Sequence, residues 1–103
     1  MQRKVYRTRL KPECRQEYID AHKNVSSELM RRYRDAGMRV CAVYLHDDEL
    51  VLLVDAEDLS QTSAILAGDP VDQAWQSYVA PMKAEGDWQE MEELFYADLT
   101  ITN

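Results

Sequence analysis

Two apolar runs joined by one polar turn constrain this chain more than any other feature. They are MRVCAVYLH at 38–46 and ELVLLVDAE at 49–57, separated by Asp47 and Asp48. Rich in β-branched and aromatic residues and broken only by two turn-forming aspartates, they predict a β-hairpin. Val40 to Leu45 and Leu50 to Val54 are apolar at nearly every position, which predicts strands buried on both faces. In a chain of 103 residues helices can cover only one face of an antiparallel sheet. The same sheet from a second copy, packed face to face, is the most economical cover for the other, so a homodimer is expected.

The elements on either side of the hairpin follow from periodicity and punctuation. RKVYRTRL, residues 3–10, alternates as a strand, with Tyr6, Thr8 and Leu10 on one side and Val5, Arg7 and Arg9 on the other. Pro12 suits the first turn of a helix, and no proline or glycine interrupts the chain from Glu13 to Ala36. With Gly37 as its C-cap, one long helix is predicted over 13–36. Its core stripe at about 100° per residue holds Cys14, Tyr18, Ala21, Val25, Leu29, Tyr33 and Ala36. His22 lies only about 40° from the centre of that stripe.

Asp58 or Ser60 caps a short helix over 60–67, ended by Gly68. Asp69-Pro70 starts another, with Val71, Ala74, Trp75 and Tyr78 as its stripe and Pro81 as its end. Residues 83–93 are polar and read as irregular, and LFYADLTI reads as the last strand. The order is strand, helix, strand, strand, helical segment, strand. The expected fold class is therefore α+β: a ferredoxin-like split βαβ sandwich with an antiparallel sheet, a single domain over 1–103, forming a dimeric α+β barrel.

Composition narrows the function classes. A net charge of −7 opposes a nucleic-acid partner, whose binding rests on clustered Lys and Arg. The basic strand residues Arg3, Lys4, Arg7 and Arg9 are the local exception, and a solvated strand or a set of salt bridges accounts for them. No apolar run approaches the roughly 20 residues that a membrane span needs. Two cysteines, Cys14 and Cys41, make no disulfide framework, and the N-terminus lacks a signal-peptide pattern, so a cytoplasmic protein with free thiols is expected. Nucleotide, hydrolase, zinc and redox motifs are missing. HDDE at 46–49 has its residues consecutive in a tight turn, which suits a solvated turn rather than a metal site. No cofactor and no metal is expected.

The chemistry-bearing candidates are few. Spacing leaves two readings of His22 open, a hydrogen-bonded core histidine or an acid–base group, imidazole being the side chain that titrates near neutrality. Tyr18 lies one turn earlier on the same side and can touch the same bound molecule. Trp75 is a core residue or an aromatic wall for a sugar's C–H face. Trp88 reads as a loop anchor, Cys41 as a buried, inert thiol and Cys14 as a packing residue. Glu28 and Tyr44 are further residues able to approach the site.

Taken together, RK near the start, QEY at 16–18, His22, Glu28, AVYL at 42–45, Q-x-W-x-x-Y at 73–78 and ELFY at 93–96 resemble the L-rhamnose mutarotase family, in order and spacing over nearly the whole chain. The resemblance implies a dimeric enzyme that interconverts the anomers of 6-deoxy sugars such as L-rhamnose or L-fucose without a cofactor. It implies His22 as the catalytic proton donor and Tyr18 and Trp75 as substrate-binding residues. The chain departs from the family pattern at Ser26 and Ser27, where Trp-Pro is common, at Cys41 in place of tyrosine, and at Gln76 in place of a second tryptophan. Two other readings stand beside it: a cofactor-independent monooxygenase of the dimeric α+β barrel type, and a noncatalytic small-molecule binding module.

Overall fold

The computed structural model describes residues 2–100. Four strands form one antiparallel sheet: β1 (Gln2–Arg9), β2 (Met38–His46), β3 (Glu49–Ala56) and β4 (Gln89–Met91), in the spatial order β2-β3-β1-β4. The hairpin forms as its pattern predicts, with Leu45 opposite Leu50 and Val43 opposite Leu52. Asp47 takes a left-handed backbone at φ 51°, which a short polar side chain tolerates in a tight turn. β3 then pairs along its whole length with β1, Thr8 standing opposite Leu50 and Lys4 opposite Val54.

Strand pairing sorts the side chains by face. Thr8, Leu10, Leu50, Val54 and Ala56 are buried beneath the helices, as the alternation of β1 predicts. Leu50 is completely enclosed, a burial that stabilises by about 1.5–3 kcal/mol. On the opposite face lie Val40, Tyr44 and Met91, all exposed. The two-sided burial expected of the hairpin is therefore not met within the chain: β2 is an edge strand, and the helices cover one face only.

The expected dimeric α+β barrel is corrected by the same topology. β2 pairs with β3 alone and β4 with β1 alone, so the sheet is open and has two edges. Closing it would require β2 and β4, at opposite margins, to pair with one another.

The long helix predicted over 13–36 is also corrected. A 3₁₀ turn at Pro12–Cys14 leads into α1 (Arg15–Lys23), and a separate α2 runs from Ser27 to Asp35. The break has a local cause. Ser26 adopts extended backbone, and its Oγ accepts the Leu29 N–H at 3.1 Å, so a serine that competes with helix continuation caps a new one. Tyr18, Leu29 and Ala36 of the predicted stripe are buried nonetheless. Gly37, at φ 96°, turns the chain from α2 into β2.

α3 (Leu59–Ala67) is capped by Asp58, whose carboxylate accepts the Gln61 N–H. α4 (Pro70–Val79) is capped by Asp69, which accepts from Val71 and Asp72. A 3₁₀ turn, Ala80–Met82, carries Pro81 and ends the helix. The last strand lies at 89–91 rather than in LFYADLTI: Met91 pairs with Val5, and the chain beyond leaves the sheet with Leu94, Phe95 and Leu99 exposed. Ile101, the final residue of that stretch, lies outside the described residues. Among the described residues no helix is long and apolar enough to cross a membrane.

The basic residues of β1 are matched by the chain's own acids. Lys4 pairs with Glu90 at 2.9 Å, Arg7 with Glu49 at 3.0 Å and Arg9 with Glu85 at 3.2 Å. The Arg3 guanidinium lies 3.5 Å from the centre of the Tyr96 ring.

Candidate active site

A cavity of about 430 Å³ opens between the helical layer and the covered face of the sheet. Its floor is Cys41 and Val43 from β2 with Leu52 and Val54 from β3. Its walls are Tyr18 and His22 from α1, Leu29 and Tyr33 from α2, and Asp72, Trp75, Gln76 and Val79 from α4, with Lys83 and Trp88 beyond them. The size is that of a small-molecule pocket, mostly apolar with a few convergent polar groups.

All three sequence candidates line it together. The Tyr18 and His22 ring centroids are 4.3 Å apart, one helical turn placing one ring over the other. Trp75 meets His22 edge to face at 5.2 Å. The His22 Nδ1 lies 2.9 Å from the Tyr18 carbonyl oxygen. A carbonyl only accepts, so Nδ1 carries hydrogen in this contact, and Nε2 is left to exchange a proton with a bound molecule. The hydrogen bond holds this arrangement in either protonation state: neutral His22 accepts at Nε2 and the imidazolium donates there.

Burial, reinforced by the nearby Cys41, pushes the Tyr18 hydroxyl up to about 12. Tyr18 therefore remains a neutral donor throughout the neutral range. Burial, then Asp72, raises the Cys41 thiol, which disfavours thiolate chemistry. The residue itself stands exposed on edge strand β2 rather than enclosed in a central strand, while its position facing the helices puts it on the cavity floor.

Sequence reasoning missed a polar cluster at one side of this cavity. Asp72 is 8% exposed, and its Oδ1 accepts the Tyr33 hydroxyl at 2.8 Å and the Gln76 side-chain amide at 3.3 Å. Burial and this bond to Asp72 hold the Tyr33 phenol well above its ordinary range. Asp72 escaped because the α4 stripe was placed one residue off. Residues 72, 75, 76 and 79 face the cavity, whereas Ala74 and Tyr78 are exposed. The same i, i+3, i+4, i+7 spacing counted from Asp72 would have found it. Gln76, noted as a departure, is one of its hydrogen-bond donors.

The other candidates sort clearly. Trp88 lines the cavity as well as anchoring its loop on the core. Cys14 packs against the core cluster. Glu28 is engaged on the surface with Arg32 at 3.5 Å, Tyr44 is on the uncovered sheet face, and neither lines the cavity. His46 and Asp47 of the HDDE turn are solvated, with side chains 92% exposed.

The solved structures most like this one include an L-rhamnose mutarotase from Formosa agariphila, with a TM-score of 0.79 and 17% identity over 95% of this chain and 100% of that one. An antibiotic biosynthesis monooxygenase shares the fold at a TM-score of 0.66 and 8% identity, covering 91% of this chain and 99% of the other. So does the tetracenomycin F2 cyclase of Streptomyces glaucescens, at 0.57 and 18%, covering 94% and 96%. At such identities these likenesses speak for the fold alone. No curated protein matches in sequence. The family profile described as L-rhamnose mutarotase, in contrast, matches residues 3–97, nearly the entire chain, and the chain therefore belongs to the L-rhamnose mutarotase family.

Proposed function

We propose that this protein is an aldose 1-epimerase that interconverts the α and β anomers of L-rhamnose or a related 6-deoxy sugar such as L-fucose. The observation that carries the reading is His22, held through Nδ1 by the Tyr18 carbonyl so that Nε2 is left for proton exchange in the cavity. Mutarotation moves two protons. The O1–H proton leaves as the C1–O5 bond breaks, the bonding pair staying on O5, which gains a proton; C1 becomes an aldehyde carbon. Rotation about C1–C2 and the reverse steps on the other face give the second anomer.

In this reading the His22 Nε2–H delivers the proton to the ring oxygen and recovers it on closure. Asp72, the one carboxylate lining the cavity among the described residues, takes the O1 proton. The neutral Tyr18 hydroxyl and the Trp75 ring hold the sugar, the first as donor, the second against its C–H groups. General acid–base catalysis of this kind supplies about 10²–10⁴ in rate, and neither a metal nor a cofactor enters a step.

A homodimer belongs to the same proposal. The uncovered sheet face exposes Val40, Tyr44 and Met91, and Leu94 and Phe95 project beyond it, large apolar side chains that a second copy would cover. Sedimentation equilibrium at micromolar concentration reads a mass twice that of the chain; a monomer refutes the assignment. A cytoplasmic location accords with the free thiols Cys14 and Cys41.

The decisive experiment is saturation-transfer NMR of anomer exchange across L-rhamnose, L-fucose and neutral aldoses. Exchange accelerates with protein and falls by at least 10²-fold in His22→Ala. No acceleration with any sugar refutes the mutarotase. Ligand-dependent thermal stabilisation without exchange identifies a binding module instead.

A further inference from the structure

At the side of the cavity formed by the chain after α4, Lys83 is 9% exposed and lines the same space as His22 and Trp75. Its backbone bridges to Leu10 of the core, so the residue is held in place rather than waving from a loop. The ammonium lies 5.3 Å from the centre of the Trp88 ring, on a second aromatic wall of the cavity. Among the described residues no carboxylate comes within 4.0 Å of Nζ and no hydrogen-bond acceptor receives its protons. Asp87 attracts it only from a distance, and burial lowers its proton affinity. The other cations along this edge, Arg7 and Arg9, are matched by Glu49 and Glu85.

The residue is mostly buried while its ammonium keeps a path to solvent, so the group loses part of its hydration and the aromatic face offsets only part of that loss. Such a group is completed by an anion entering the cavity. Asp72 does not serve, being held to Tyr33 and Gln76 by its own hydrogen bonds. The cavity thus carries a carboxylate able to take a sugar hydroxyl's hydrogen bond and, separately, a cation that no acid among the described residues pairs with. A 6-deoxy sugar offers only a methyl group at C6, which has nothing to give an ammonium.

We infer that Lys83 is a specificity-determining residue that pairs with a carboxylate on the ligand, so that the preferred ligands of this cavity are hexuronates, aldoses carrying a carboxylate at C6. The inference rests on the mutarotase reading for the reaction and revises its substrate class from 6-deoxy sugars to hexuronates. Its binding component stands apart from catalysis: the ion pair forms whether or not the bound sugar opens.

Matched sugars that differ only at C6 test it. Galacturonate, galactose and fucose (6-deoxygalactose), each in both D and L forms, are titrated into the protein by calorimetry or ligand-observed NMR, with anomer exchange recorded on the same samples. At least one uronate binds tenfold or more tightly than its own neutral partners, and that preference falls to within about twofold in Lys83→Met. Lys83→Gln, which retains a polar terminus, serves as the second variant, thermal unfolding confirming that each is folded; the comparison among matched sugars needs no variant at all. Uronates that bind no better than their neutral partners overturn the inference, as does a preference that survives both substitutions. Uronate binding that depends on Lys83, with no anomer exchange of these sugars or of L-rhamnose, upholds the inference and sinks the mutarotase; exchange of neutral sugars without a Lys83-dependent uronate preference does the reverse.

Discussion

The bond between Tyr33 and Asp72 ties α2 to α4 across 39 residues of sequence and forms one wall of the cavity, so its removal should register in stability. Tyr33→Phe deletes a donor 2.8 Å from a carboxylate that is 8% exposed, leaving Gln76 at 3.3 Å as its remaining partner. A hydrogen bond to a charged group contributes about 1.5–3 kcal/mol, against about 0.5–1.5 for a neutral pair. The substitution therefore costs about 2 kcal/mol, which lowers the unfolding midpoint of a domain this size by roughly 8–16 °C. Asp72→Asn keeps an acceptor in place but removes its charge, so Tyr33→Phe costs about 1 kcal/mol less in that background. Urea unfolding of the four proteins closes the double-mutant cycle.

Alkali supplies an independent arm. Tyr33 titrates higher in the folded chain than in the unfolded one, so above about pH 10 the unfolded state loses this proton while the folded state keeps it. Stability is thus complete below the ordinary tyrosine range and declines as pH rises beyond it. Tyr33→Phe makes that decline shallower. An equal cost of Tyr33→Phe in both Asp72 backgrounds, together with an unchanged alkaline slope, refutes a charge-assisted bond at this site.

Tyr18 behaves likewise in a narrower window: raised to about 12, it loses roughly 2–3 kcal/mol of contributed stability between about pH 10 and 12, a loss that Tyr18→Phe abolishes in pH-dependent denaturant titrations. Ser26→Ala removes the cap on α2 and costs about 1 kcal/mol in chemical denaturation; no measurable change argues that α2 starts without it. Gly37→Ala forces a left-handed backbone at φ 96° and places a Cβ 3.3 Å from Thr62 Oγ1, whose hydroxyl donates to the Ala36 carbonyl. It destabilises by more than about 1 kcal/mol, measured by thermal unfolding.

The fold was legible wherever a residue's local preference and its tertiary surroundings agree. The hairpin, the Asp58 and Asp69 caps and the inward side of β1 are of this kind, since alternation and capping act over a few residues. The long helix was misread because no proline or glycine marks its break, although Ser26-Ser27 carried the capping signal. The last strand was misread because LFYADLTI has the better strand composition, but a strand also needs a neighbour with free backbone groups. β1 pairs over Val5–Arg7 with Gln89–Met91, a polar stretch, and pairing overrides intrinsic preference. The open sheet is a property of which strands lie at the margins, which apolarity alone does not reveal.

For the site, one angle sufficed to find His22 and a one-residue rotation sufficed to lose Asp72. His22 was visible because it lies near a stripe anchored by Tyr18 and Leu29, both buried as expected. On α4, Val71 and Tyr78 are apolar enough to draw the stripe toward themselves, yet Tyr78 is 48% exposed and the inward face is Asp72, Trp75, Gln76 and Val79. Hydrophobic periodicity finds helix faces by assuming that the inside is apolar. A binding cavity breaks that assumption, because its walls must carry polar groups where a packed core would carry none. Neither Asp72 nor Lys83 stood among the sequence candidates, and both are less than a tenth exposed. If the cavity opens a sugar ring as proposed, such inward charges are where its chemistry resides. The polar groups of a binding cavity are therefore the ones that a search for apolar stripes is least equipped to see.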